Sequence, residues 1–169
     1  MRLIEAMKAL KRLTAKVRDL RNKIRDHCAI LEDEDHPYPE PDKEVAGWRQ
    51  AAVDTIAEIA RLRMAITRTN LRTNVTIEIG GKAISKPIAY WVLRRRELSA
   101  MESLVWSSLT DRGLKPKAYD KGDGEVGVHQ VRRFYSAKER DEQLSELSEE
   151  PMLIDAALEI ANAVTELDE

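Results

Sequence analysis

The sequence predicts a mainly α protein with a minor β component: an antiparallel hairpin or bundle of long helices with one small β-hairpin inserted. Three observations predict it. Apolar residues recur at seven-residue intervals near the start of the chain, and a Gly80-Gly81 pair separates two short alternating runs. The composition also combines 34% charged residues with only 5% aromatic ones, a balance typical of long helices with solvated outer faces. At 169 residues the chain has the length of a single domain, 1–169, with its own core.

The first helix rests on a heptad seam. Leu3, Leu10, Val17, Ile24 and Leu31 share one position, with Ala6, Leu13 and Leu20 at its complement; about four heptads of such a pattern predict a coiled-coil or bundle helix. Residues 32–43, EDEDHPYPEPDK, interrupt it, because Pro37, Pro39 and Pro41 force an extended path. Asp42 is placed to cap a second helix reaching about Asn70, in which Val45, Trp48, Ala52, Ile59, Leu62 and Ile66 continue the spacing while Val53 and Ile56 widen the stripe. Thr55 and Thr69 fall on the same seam and weaken it. Residues 1–70 therefore read as a helical hairpin with an acidic, proline-rich connection.

Beyond Asn70 the period becomes two. Val75, Ile77 and Ile79 alternate with polar residues, and Gly80-Gly81 turns the chain back, predicting a β-hairpin over 75–84. Ser85 and Pro87 suit the start of a helix over 86–110, with Ile88, Trp91, Leu98, Met101 and Val105 inward. Glycines and charges mark 111–125 as a mobile loop, and Val126, Val128 and Val131 a further strand within 126–135 that would join the hairpin. The Ser136–Glu139 capping box opens the C-terminal helices over 137–167, which Pro151 kinks or divides. The seam residues taken as core are Leu3, Leu10, Val17, Ile24, Trp48, Ile59, Ile66 and Trp91.

Several function classes are excluded or disfavoured. No apolar run is long enough to cross a membrane, and the charged start MRLIEAMKALKRL lacks the form of a secretory signal. His27, His36 and His129 stand apart in sequence, the single Cys28 allows no internal disulfide, and no nucleophile–base, zinc or nucleotide-loop pattern occurs. The chain is therefore read as a non-enzyme, with no cofactor and no metal site. A divalent cation at the acidic residues around His36 is the weaker reading of that loop, since no ordered ligand spacing is present.

Charge is strongly segmented within a net charge of −2. Residues 1–31 carry +6, 32–60 carry −7, 61–136 carry +8 and 137–169 carry −9. Such blocks favour pairing of opposite segments within a chain or between copies. The candidate interaction residues are Arg61, Arg68, Arg72, Arg94, Arg95, Arg96, Arg132 and Arg133. They either pair with the acidic blocks, the favoured reading, or gather to hold an anion such as a nucleotide signal or a nucleic-acid backbone.

The order of a heptad helix, the helix end Ile66-Thr67-Arg68-Thr69-Asn70, a glycine-turn hairpin and a helix bearing Trp91 and Arg94-Arg95-Arg96 resembles small helical proteins encoded by tailed bacteriophages. Phe134-Tyr135-Ser136, Arg140-Asp141-Glu142 and the run from Ile154 to Ala163 add to it. A more distant similarity is to the septicolysin-like family, which shares the arginine- and asparagine-rich end of the second helix, the arginine-rich third and the Tyr-Ser start of the last. No segment suits the pore formation that a toxin would need, and neither group lends catalytic residues. The phage resemblance implies a virion component or accessory factor in the particle or the bacterial host cytoplasm. Its expected partners are further copies of itself and other virion proteins, ahead of a nucleotide or nucleic acid.

Overall fold

The structure, a computed structural model, describes residues 1–168. It is mainly α, 62% helical, with two small antiparallel strand pairs. The chain divides into two compact units: the first holds Met1–Val75, Pro87–Ala89 and the chain from Glu159 onward, the second Thr76–Lys86 and Tyr90–Leu158. No helix among the described residues is long and apolar enough to cross a membrane.

In the first unit, α1 (Leu3–His27) and α2 (Pro41–Arg72) pack against each other. α1 stops four residues short of Leu31, which is exposed instead of closing the seam. His36 supplies the reason for the stop: its Nε2 donates to the carbonyl of His27 at 3.0 Å while its Nδ1 accepts the Tyr38 N–H at 3.1 Å. One orphan carbonyl of the helix end is thereby satisfied by a neutral imidazole. α2 starts at Pro41 after Glu40, so Asp42 lies in the first turn near the helix dipole and is not the cap.

The seam threonines are buried rather than disruptive. Thr55 Oγ1 donates to the Ala51 carbonyl at 2.6 Å and Thr69 Oγ1 to that of Ala65 at 2.9 Å, so neither hydroxyl is left unsatisfied. Thr69 Oγ1 also accepts the Asp168 N–H at 2.8 Å. The last residues do not extend the final helix: Leu3 N–H donates to Thr165 and Leu167 N–H to Met1, pairing the segment after Val164 with the start of α1.

The inserted hairpin is β1 (Asn74–Ile79) and β2 (Lys82–Pro87). Gly80 and Gly81 both have positive φ, +57° and +73°, as a tight two-residue turn requires. β2 runs on through Ser85, so the next helix begins at Ile88 and Ser85 does not cap it.

From Ile88 to Ser107 one helix runs unbroken in three parts: α3 (Ile88–Leu93), a π-helical stretch (Arg94–Leu98) and α4 (Ser99–Ser107). The Ser99 N–H bonds the Arg94 carbonyl five residues back, which inserts an extra residue into the turn. A face drawn at the ordinary period from Ile88 and Trp91 therefore fails beyond Arg94. Ser99 is buried, whereas Met101 and Val105, expected inward, are exposed.

The expected loop 111–125 contains a strand. β3 (Lys117–Gly122) pairs with β4 (Glu125–His129), with Ala118 opposite Val128 and Tyr119 opposite Gly127. This sheet is separate from β1–β2, and the strand expected over 126–135 ends at His129. Tyr119 stacks on His129 at 4.1 Å between ring centres, and its ring occupies the space a Cβ on Gly127 would need.

α5 (Ala137–Val164) follows. Ser136 Oγ accepts the Glu139 N–H at 3.2 Å, closing the N-terminal turn. The helix continues through Pro151 without dividing, and Ser148 bonds the Ser145 carbonyl rather than capping a new helix. Immediately before that proline, Glu150 is 2% exposed. Arg94 forks onto it at 2.5 and 2.9 Å, and Ser99 Oγ donates to it at 3.0 Å. The π stretch lets two residues five apart serve the same carboxylate.

A buried pair is costly to break, because the survivor loses its partner in a site poor in water. Replacing Glu150 with Ala is expected to lower unfolding free energy by about 3 kcal/mol. Glu102, Arg94's more exposed second partner at 2.6 Å, should cost less than about 1 kcal/mol when replaced with Ala. Urea unfolding of the two variants measures the difference; equal losses would show that Glu150 is not the anchor.

Candidate functional site

Arg61, Arg68 and Arg72 lie on α2 in the first unit, and the other five candidate arginines belong to the second. Half of the eight are committed to carboxylates. Arg72 pairs with Asp168, Arg94 with Glu150 and Glu102, Arg95 with Asp155, and Arg133 with Asp111. Asp168, Glu150 and Asp155 all come from the C-terminal acidic block. Hydrogen bonding to Glu150, followed by the bond to Glu102, raises the Arg94 pKa despite partial burial. Arg132 lies 5.2 Å from the Phe134 ring centre in a cation–π contact. Among the described residues, Arg61, Arg68 and Arg96 form no ion pair.

Two of those three line one cavity. Early residues of α1, the second half of α2 and Leu167 bound a space of about 360 Å³ in the first unit. Arg61 and Arg68 are one heptad apart and so share a side of α2. Met1, Ala9, Leu62 and Leu167 give apolar lining, and Glu58 contributes a carboxylate. A concave apolar surface with a few charged groups at its edge is the usual form of a small-molecule site.

The seam residues divide by burial. Leu3 and Trp91 are fully buried, whereas Leu10, Val17, Ile24, Trp48, Ile59 and Ile66 are half-buried. Sequence reasoning missed a second apolar stripe on α2. Val53, Ile56, Ala60, Met64 and Leu71 recur at steps of three, four and seven, about a third of a turn from the seam, and all are exposed. Val53 and Ile56 thus belong to a separate face instead of widening the first. Met64 is 60% exposed.

The histidines are not isolated in space. His27 lies 6.0 Å from His36, 5.1 Å from Tyr38 and 5.7 Å from Trp48 between ring centres, and Tyr38 meets Trp48 at 5.1 Å. The proline-rich connection thereby packs onto both helices, a contact its spacing did not reveal. Its chemistry is structural, since both His36 nitrogens are engaged in holding backbone groups. No group of three or more His, Cys, Asp or Glu among the described residues is arranged to hold a metal ion.

In the second unit Asp111 ties the chain before β3 to that before α5. Arg133 donates two bonds to it at 2.6 Å, and the Tyr135 hydroxyl donates another at 3.1 Å. Arg140 meanwhile donates to the Leu109 carbonyl at 2.9 Å. The hydrogen bonds from Arg133 dominate in holding the Asp111 carboxyl down at about 2. With a lowered folded pKa, the tie contributes fully above the ordinary carboxylate range near about 4. It is lost as pH falls through about 2. Carbon NMR of the Asp111 carboxyl should give a midpoint near the lower figure, and Arg133→Gln should move it up toward the ordinary range. An unchanged midpoint in the variant would remove Arg133 as the cause.

No protein-family model matches the chain, and no curated protein is similar enough to match it. Among solved structures, it is similar to the crystal structure of a functionally unknown conserved protein from Corynebacterium diphtheriae, at 18% identity over 99% of each chain and a TM-score of 0.56. At that identity the likeness concerns the fold alone, which the two proteins share from end to end.

Proposed function

We propose that the chain is a non-enzymatic assembly protein acting as a homo-oligomer, with α1 and α2 forming an antiparallel helical hairpin that a second copy completes into a bundle. The observation that carries this reading is surface area. The chain exposes 12760 Å². A compact monomer of 19.3 kDa would expose about 8,500 Å², and two wholly separate compact bodies of half that mass about 10,000 Å². The two units taken by themselves therefore expose together at least roughly 2,500 Å² more than compact bodies of their mass, an area of the size that an obligate interface covers on each partner.

The uncovered area is apolar where an interface needs it to be. The α2 stripe from Val53 to Leu71 continues heptad spacing on a face other than the seam, which suits a further helix of the same kind. In the second unit, every residue of β3 is exposed, and β4 exposes Val126 at 70% and Val128 beside it. A two-stranded hairpin is marginal in water unless something covers it. The setting is taken from the resemblance to phage-encoded helical proteins: a virion, or the host cytoplasm in which its parts assemble.

Sedimentation velocity and native mass measurement at micromolar concentration should give a multiple of 19.3 kDa. Paired Val53→Glu and Met64→Glu substitutions should shift the protein toward monomer, with helical circular dichroism retained because both positions are exposed within one chain. A wild-type monomer, or an oligomer indifferent to both charges, would remove this interface.

A further inference from the structure

We propose that the cavity lined by Arg61 and Arg68 binds a small organic oxyanion: a phosphate or carboxylate carried on an apolar body. Nothing in this proposal depends on the assembly reading.

Three observations support it. First, several guanidiniums elsewhere in the chain take a carboxylate, as Arg25 does with Asp26, Arg72 with Asp168, Arg95 with Asp155 and Arg133 with Asp111. Arg61 does not, although Glu58 lies one helical turn away and lines the same cavity, and Arg68 has no ion pair among the described residues either. Second, both lie on one helix about 10 Å apart along its axis, a span over which two long side chains can converge on one anionic group. Each guanidinium offers five N–H donors in a planar fork that matches carboxylate and phosphate oxygens. Third, Met1, Leu62 and Leu167 make the adjoining wall apolar, so that a ligand carrying an apolar body covers it while its oxyanion meets the guanidiniums.

The lining also sets specificity. A free inorganic ion would leave the apolar wall wet, so an anion bearing a hydrophobic or aromatic portion gains from both parts of the cavity. Glu58 disfavours a ligand that is anionic throughout and suits one with a hydroxyl or amine remote from its oxyanion. The space of about 360 Å³ limits the ligand to a small molecule.

Calorimetric titration of the full chain with phenyl phosphate, benzoate, adenosine monophosphate and inorganic phosphate tests the site. At least one organic anion should bind at least about tenfold more tightly than inorganic phosphate. Arg61→Ala and Arg68→Ala should each weaken it by about ten- to a hundredfold, the worth of a charged hydrogen bond. Arg96→Ala, at an exposed arginine of the second unit, should leave it unchanged. Absence of saturable binding by all three organic anions, affinity no better than for inorganic phosphate, or indifference to both substitutions would overturn the proposal. So would a combined Arg61→Ala and Arg68→Ala variant that falls to monomer while no organic anion binds the wild type, since the arginines would then be partnered by another copy of the chain.

Discussion

Apolar volume is the scarce quantity in this chain. It has one Phe, three Trp and four Tyr in 169 residues, so apart from Trp91 its buried apolar positions fall to Leu, Ile and Ala. An α2 of 32 residues extends about 48 Å, and an α1 of 25 residues about 38 Å. One helix laid on another covers one side only. The half-burial of Leu10, Val17, Ile24, Ile59 and Ile66 and the exposure of the second α2 stripe both follow from that geometry.

Regular features were legible in the sequence because each depends on neighbours a few residues away. The first long helix, the Gly80-Gly81 turn and the Ser136–Glu139 cap all rest on local spacing, and all three occur where that spacing puts them, although the helix ends before Leu31. What escaped depends on distant partners. The end of α1 at His27 is set by His36 reaching back across the proline-rich connection. The π stretch exists in company with Glu150, more than fifty residues later, and it displaced the expected inner face of α4 onto solvent. β3 escaped because Lys117-Ala118-Tyr119-Asp120-Lys121 alternates in no apolar sense; its pairing comes from β4 and from a Tyr119 ring laid over Gly127. Among the candidate arginines, sequence gave no means of separating those with carboxylate partners from Arg61 and Arg68.

The charge blocks act within one chain. The acidic C-terminal block supplies Glu150, Asp155 and Asp168 to three arginines of the preceding basic block, including the most buried ion pair. Arginines left without carboxylates are then informative by contrast. Arg61, Arg68 and Arg96 are all exposed, but only Arg61 and Arg68 stand beside an apolar wall, where an anion with an apolar body can engage both.

Long heptad helices face a further difficulty, which explains why this fold retains buried polar groups that leucine could replace. Sliding α1 along α2 by one heptad leaves most apolar contacts intact, so apolar packing alone specifies register weakly. Features that occur once do not survive such a slip. At one end of the first unit, the ring cluster of His27, His36, Tyr38 and Trp48 can form in a single register only. At the other end, Thr69 accepts the Asp168 N–H while Arg72 binds that residue's carboxylate, and Leu3 and Leu167 bond across the segment after α5. In the second unit, Glu150 gathers Arg94 and Ser99 around a π turn that no repeat would reproduce. Burying that carboxylate brings little net stability relative to a well-packed apolar residue. Its contribution is to make one alignment of the helices satisfiable and the neighbouring ones not.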